Sequence, residues 1–209
     1  MYIPRHFAVD DRARIVELVR RYPLATLAIV LDGAIEAAHV PVVFDAHRGE
    51  YGAVRFHLAG VNPMARALDG TRGAMLVFSG PESYVSPDWY ESKHLVPTWN
   101  YAAVHVWGTP VPMEDAPLCN LLEDLSAFQE DQIPGKEPWT SDKLPADLYE
   151  KMRRAIVGFD MMIRRMDAKW KMSQNRDQRD RAGVIRALTG LGGERNRAVA
   201  ATMSSLESD

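Results

Sequence analysis

Two apolar runs joined by a two-residue break restrict this chain more than any other feature. LATLAIVL (24–31) and AIEAAHVPVVF (34–44) flank Asp32-Gly33. An Asp-Gly pair tolerates the positive φ values of a tight hairpin turn, and both runs have the length and composition of strands. They predict an antiparallel hairpin. Pro41 has no N–H to give to a sheet neighbour, so it predicts an edge or a bulge in the second strand. Further β signals follow at AVRFHLA (53–59), GAMLVFSG (73–80), VPTWNYAAVHVWG (96–108) and VGFDMMIRRM (157–166).

Helical spacing is confined to the segments around them. Ile15, Leu18, Val19 and Tyr22 recur at helical intervals in residues 11–22, before Pro23. VNPMARALDG (61–70) offers Asn62 as N-cap, Pro63 at the first helical position and Gly70 as a stop. Leu118, Leu121, Leu122, Leu125 and Phe128 form one stripe in residues 115–130, with Cys119 beside it as a structural residue. Shorter helices are expected at 147–156 and 178–189, and a peripheral helix after Gly190–Gly193. About six strands, a hairpin start, one inserted helix and later helices predict a β-barrel with α elements, of the α+β class.

The strand at 96–108 is unusual in its rings. One face reads Trp99, Tyr101, Ala103, His105, Trp107; the other reads Thr98, Asn100, Ala102, Val104, Val106. The second face suits a core, with the Asn100 amide at its entry. The first presents hydrogen-bonding aromatics outward. The loop at 80–95 carries two prolines and three aromatics, a length and content that suit function or packing. KWKMSQNR (169–176) sets Lys169, Lys171 and Arg176 beside Ser173, Gln174 and Asn175. Cations and amides in one row suit a phosphate or the edge of a heterocycle. A helix cap supplied by Ser173 or Asn175 is the plainer alternative.

Net charge is −3, but residues 164–197 hold ten Lys or Arg against four Asp or Glu, leaving −9 on the remainder. A basic segment on an acidic body suggests an anionic partner. The overall acidity argues against strong non-specific DNA binding, and the helices around Gly190–Gly193 lack a defined reading face. No apolar run approaches the ~18–20 residues of a membrane span. The opening MYIPRHFAVDD lacks the pattern of a signal peptide, and Cys119 is the single cysteine. No membrane association and a cytoplasmic location are expected.

The sequence has no GxGxxG, P-loop, GxSxG, CxxC or HExxH motif. His39, His57 and His105 fall on three expected strands, but they lack metal-ligand spacing. No metal site and no catalytic residue are assigned.

MYIPRHF at the start, NP at 62–63, GPESYVSPDWY at 80–90, VPTWNYAAVHVWG at 96–108, AIVGF at 155–159 and KMSQNRDQRDRAGV at 171–184 together resemble the PaiB-type regulators among the FMN-binding split-barrel proteins. The resemblance runs to about residue 190. It implies a split β-barrel of the FMN-binding type over 1–190 with peripheral helices, and a tail at 191–209, helical or disordered. It further implies a homodimer holding FMN at its interface, and a role as a negative transcriptional regulator with DNA as a partner. Two alternatives belong to the same superfamily: a flavin-dependent oxidoreductase, and a cofactor-free or haem-handling split-barrel dimer. The implied cofactor residues are His39, His57, Asn62 and Arg66 in the barrel, Trp99, Asn100 and Tyr101 in the ring-bearing strand, and Lys171, Ser173, Gln174, Asn175 and Arg176. Gly60-Val61 stands where relatives often carry a basic residue, so phosphate charge falls to Arg66, Lys171 and Arg176.

Overall fold

A computed structural model describes residues 1–206. The last three residues of the expected tail lie outside the described residues. The strands are β1 (Leu24–Leu31), β2 (Ala34–Asp45), β3 (Ala53–Ala59), β4 (Ala74–Val85), β5 (Thr98–Gly108), β6 (Val111–Pro112) and β7 (Ile156–Lys171). The helices are α1 (Arg12–Arg21), α2 (Pro63–Ala67), α3 (Asp115–Glu130), α4 (Ala146–Arg153), α5 (Gln178–Leu191) and α6 (Glu194–Ser205). The strand order is β3-β2-β1-β4-β5-β7-β6, and β3 also pairs with β7, so the order closes on itself. This is the closed β architecture expected from the strand pattern.

The chain forms two compact units, one of residues 19–78 and 105–166, the other of residues 1–18, 79–104 and 167–206. In the first, Leu31 pairs with Ala34 across a two-residue turn whose Asp32 and Gly33 have φ of 51° and 82°. Those angles are what the Asp-Gly pair supplies. Pro41 sits where β2 changes partner: residues 34–41 pair with β1, and residues 42–45 pair with β3. A missing N–H costs nothing at that switch, which is the physical reason the strand tolerates proline. Phe56 and Phe159 are register partners, stacked with centroids 5.4 Å apart and fully buried. Val54, Leu58, Met161 and Ile163 extend the same apolar face of β3 and β7.

In the second unit, Ile15 and Leu18 of α1, Val85, Trp170, Met172, Val184 and Leu188 are buried. The final helix differs from the peripheral one expected, because Val199 and Met203 of α6 are both 0% exposed. Its alanines and serines hid that contribution: small side chains give little amphipathic contrast yet let helices approach closely.

Other differences are of extent. β4 runs on to Val85 through Pro81 and Glu82, so the expected loop at 80–95 shortens to a single turn of 3-10 helix, Pro87–Trp89, and its flanks. β7 runs on to Lys171, which places Lys169 and Lys171 within a strand. The helix after Asn62 is only five residues long, because Leu68 leaves helical geometry at ψ 72° and is fully buried. The two-residue β6 has no signature of its own in the sequence; it is defined by pairing with Asp160 and Phe159.

Candidate functional site

β5 alternates as its composition predicts except at Ala103, which is buried although it lies in register with the outward face. Asn100, Ala102, Val104 and Val106 are buried, while Trp99 is 48% exposed and Tyr101, His105 and Trp107 are half-buried. Around the first part of this strand the second unit gathers three cations. The Lys171 ammonium donates to the Trp99 carbonyl at 2.6 Å and to the Thr98 hydroxyl. Lys169 Nζ donates to the Tyr2 carbonyl at 3.2 Å and lies 5.2 Å from the Tyr101 ring centroid. The Arg176 guanidinium sits 5.6 Å from the Tyr90 ring centroid.

Burial, then the nearby charges of Lys169 and Arg176, holds the Lys171 ammonium below its ordinary range. The acid near Arg176 is Asp180, which is buried and accepts from the Ser92 N–H at 2.9 Å. Three cations held by carbonyls and ring faces, with their repulsion expressed on one lysine, form an anion-seeking arrangement. A bound anion would relieve that repulsion.

The turn after β7 is built from the SQN residues. Ser173 has a φ of 62°, an uncommon value for a residue with a side chain. Its hydroxyl exchanges bonds with the Asn100 amide, at 3.0 Å from Nδ2 and 3.1 Å to Oδ1. Asn100 is 0% exposed and also approaches the Met203 sulfur at 3.4 Å. Gln174 closes the turn, its Oε1 accepting from the Met172 N–H at 2.7 Å and its Nε2 donating to the Trp170 carbonyl at 2.6 Å. The Arg176 N–H donates to the Ser173 carbonyl at 3.0 Å, and Asn175 is exposed. The cap of α5 is Asp177, which accepts from the Asp180 N–H at 2.9 Å, so neither Ser173 nor Asn175 takes that part.

The barrel residues have separate local settings. His39 Nδ1 lies 3.2 Å from the Thr26 hydroxyl of its register partner. Asn62 caps α2 by accepting from the Met64 N–H at 2.9 Å, and Arg66 is exposed. His57 is held below its ordinary pKa by burial, and its Nδ1 is buried without a hydrogen-bond partner.

Of the expected residues, the structure therefore brings together Trp99, Tyr101, Lys171 and Arg176 around the Asn100–Ser173–Gln174 turn. Lys169 and Tyr90 belong to the same cluster and were not singled out from the sequence as cofactor residues. Lys169 was legible, since residues two apart on a strand share a face. Tyr90 was not, because a loop residue carries no periodicity.

A family model described as "Putative FMN-binding domain" matches residues 1–165. The chain is 33% identical over 189 residues to "Protease synthase and sporulation protein PAI 2" of Bacillus subtilis, covering 90% of this chain and 89% of that protein. It is 30% identical over 238 residues to an uncharacterized protein of Emericella nidulans, covering 96% and 95%. Among solved structures, it is similar to the FAD and heme binding protein from Mycobacterium smegmatis, with a TM-score of 0.59 at 19% identity over 88% of this chain and 80% of that one. It is also similar to the flavocytochrome Anf3 from Azotobacter vinelandii, with a TM-score of 0.58 at 18% identity over 87% and 78%. The fold is thus shared with flavin-handling proteins whose sequences have diverged far from this one. The matched residues and the extent of the Bacillus relationship make the chain a member of the PaiB-type family of FMN-binding split-barrel proteins.

Proposed function

We propose that this chain binds FMN as a homodimer and acts as a cytoplasmic negative regulator of transcription of the PaiB type. The observation that carries the cofactor is the cluster of Lys169, Lys171 and Arg176 beside Trp99 and Tyr101. It offers positive charge for a phosphate and ring faces for a heterocycle, so the residues present fit the group. Lys171 and Arg176 take the phosphate, Trp99 and Tyr101 adjoin the ring system, and Asn100, Ser173 and Gln174 fix the turn that carries Arg176. Asn175 is open to the ligand as a donor. His39, His57, Asn62 and Arg66 are the candidates that family membership suggests in the barrel. Bound flavin would supply hydride or electron transfer; the chain's own residues bind and orient it. For the dimer, the β1–β2 hairpin leaves Leu24, Val30 and Ile35 63%, 56% and 80% exposed, an apolar surface that a second copy would cover.

Titration of the purified protein with FMN, followed by flavin fluorescence, tests the cofactor. Saturable binding at micromolar or tighter affinity is expected; indifference to FMN refutes it. Arg176→Ala should weaken FMN by about tenfold to a hundredfold, the range of a charged hydrogen bond, and riboflavin by much less. Equal losses for the two ligands would take Arg176 away from the phosphate. A monomeric mass by light scattering would remove the dimer.

The lowered Lys171 pKa adds a pH dependence. Deprotonation removes a positive charge from the cluster, so FMN affinity should fall as pH rises, beginning below the ordinary lysine value of 10.5. The fall should vanish in Lys171→Gln. A profile that stays flat in the wild type up to 10.5 would disconnect Lys171 from the ligand.

A further inference from the structure

The first turn of α6 grips β4 beside the ring-bearing strand, wholly within the second unit. β4 neighbours β5 in the sheet, and its end alternates: Ser83 and Val85 are buried, while Glu82 is half-buried and Tyr84 exposed on the other face. Arg195 Nε donates to the Glu82 carbonyl at 3.0 Å, and the Arg195 guanidinium also pairs with the Glu82 carboxylate. The Ser83 hydroxyl donates to Asn196 Oδ1 at 2.9 Å, and Asn196 Nδ2 donates to the Gly192 carbonyl at 3.0 Å. Two successive residues of the helix hold two successive residues of the strand.

That grip sets a cation on Trp99. The Arg195 guanidinium carbon lies 5.5 Å from the Trp99 ring centroid. Tyr84 meets the same indole edge-on, with centroids 6.2 Å apart and planes at 76°. An exposed side chain ordinarily samples several rotamers. This one has a cation against its ring, a second ring at its edge and, through Lys171, an anchored carbonyl. Trp99 still keeps 48% of its surface open, so ring area remains for a ligand. Neither Arg195 nor Tyr84 is among the residues that family membership suggests for the cofactor.

Arg195 differs from Lys171 and Arg176 in its charge balance. Glu82 matches its guanidinium, so Arg195 brings no net charge to a phosphate. An exposed ion pair adds little to folding stability, and its main consequence is where the guanidinium stands. A ring ordered before the ligand arrives spares the binding step the cost of ordering it.

We propose that Arg195 is a positioning residue of the flavin site: it holds the Trp99 ring in the orientation that receives the heterocycle, which makes α6 part of the site. This rests on the reading that Trp99 adjoins the flavin ring system.

The test compares FMN with riboflavin on the full chain, by flavin fluorescence. Arg195→Leu should weaken both ligands alike, by about threefold to tenfold, the worth of ordering one side chain. Arg176→Ala, in contrast, acts mainly on FMN. Glu82→Gln frees the guanidinium from its carboxylate and should also weaken both ligands, although it makes the site more positive. In a Trp99→Leu background, Arg195→Leu should cause no further loss. A loss confined to FMN in Arg195→Leu, or tighter FMN binding in Glu82→Gln, would make Arg195 a phosphate ligand and overturn the proposal. Unchanged affinities in Arg195→Leu, or additive losses in the Trp99→Leu background, would overturn it too. A readout without flavin comes from fluorine NMR of fluorotryptophan-labelled protein, with the Trp99 resonance assigned by Trp99→Phe. Arg195→Leu and Glu82→Gln should displace that resonance in the same direction; a resonance left in place by both variants refutes the positioning role. A wild type that binds neither flavin refutes the cofactor reading, whereas a wild type that binds both, with unaltered variants, refutes the role of Arg195 alone.

Discussion

Gly183→Ala should lower the melting temperature by about 5–10 °C, corresponding to ~2–4 kcal/mol for a chain of this size. Gly183 lies in the interior of α5, where alanine is intrinsically the better helix former by ~1 kcal/mol. Sterics reverse that preference. A Cβ at Gly183 would stand 2.1 Å from the Trp89 carbonyl oxygen and 3.4 Å from its carbon. The obstacle is backbone, so it cannot be relieved by rotating a side chain; either α5 or the Pro87–Trp89 turn must move. Gly190 is the control, since it lies in the same helix and a Cβ there meets nothing within 4 Å. Gly190→Ala should therefore keep the melting temperature or raise it slightly. Thermal unfolding of the two variants by circular dichroism separates close approach from helix propensity, and equal shifts would refute the steric account. The same displacement would be felt in the cationic cluster. The turn that Gly183 touches leads directly into Tyr90, under Arg176, and Ser92, whose N–H is held by Asp180. Gly183→Ala should thus weaken FMN as well.

The barrel was legible where local chemistry and pairing agree. Asp32-Gly33 declares its turn, and the runs on either side of it have no competing helical period. Asn62 and Pro63 announce the start of α2 for the same reason. Legibility failed where tertiary pairing overrides local preference. Pro81 and Glu82 read as loop, yet they belong to β4 because the sheet carries the strand through them. Lys169 and Lys171 read as part of a polar row beyond the strand expected at 157–166, yet they belong to β7. The candidate site was legible as a list of residue types and not as an arrangement. Lysines, arginine and rings in the right segments predicted an anion and a heterocycle. Which cation lies over which ring depends on where β5, β7 and the turn at Tyr90 meet, and no periodicity in the chain encodes that. Phe128 of α3 falls on the apolar stripe that predicts burial, but it is left 42% exposed.

Asn100 links the fold to the proposed site most tightly, and its replacement should reveal that link. Asn100→Ala removes both hydrogen bonds to Ser173 and leaves a fully buried hydroxyl unpaired beside a new void. The loss should be ~2–4 kcal/mol, from the void and the unpaired hydroxyl together. Ser173→Ala leaves the Asn100 amide without its hydroxyl partner and should cost ~1–3 kcal/mol. If the two side chains act as one unit, Asn100→Ala with Ser173→Ala should cost less than the two losses added, because the second removal finds no partner to strand. A coupling of ~1–2 kcal/mol from the double-mutant cycle in urea is expected; strict additivity would mean that each residue is held by something else. Ser173→Gly separates the backbone from the bond. It loses the hydroxyl but relieves a φ of 62°, which costs a non-glycine residue ~1 kcal/mol or more, so it should be milder than Ser173→Ala. FMN affinity supplies the functional readout. Asn100 is shielded from any ligand, but the turn it pins carries Arg176 onto Tyr90 through the Ser173 carbonyl. Asn100→Ala should weaken FMN relative to riboflavin in the same sense as Arg176→Ala, at temperatures where the variant remains folded. An unchanged FMN affinity in the folded variant would separate the buried pair from the binding cluster and leave Asn100 a purely structural residue.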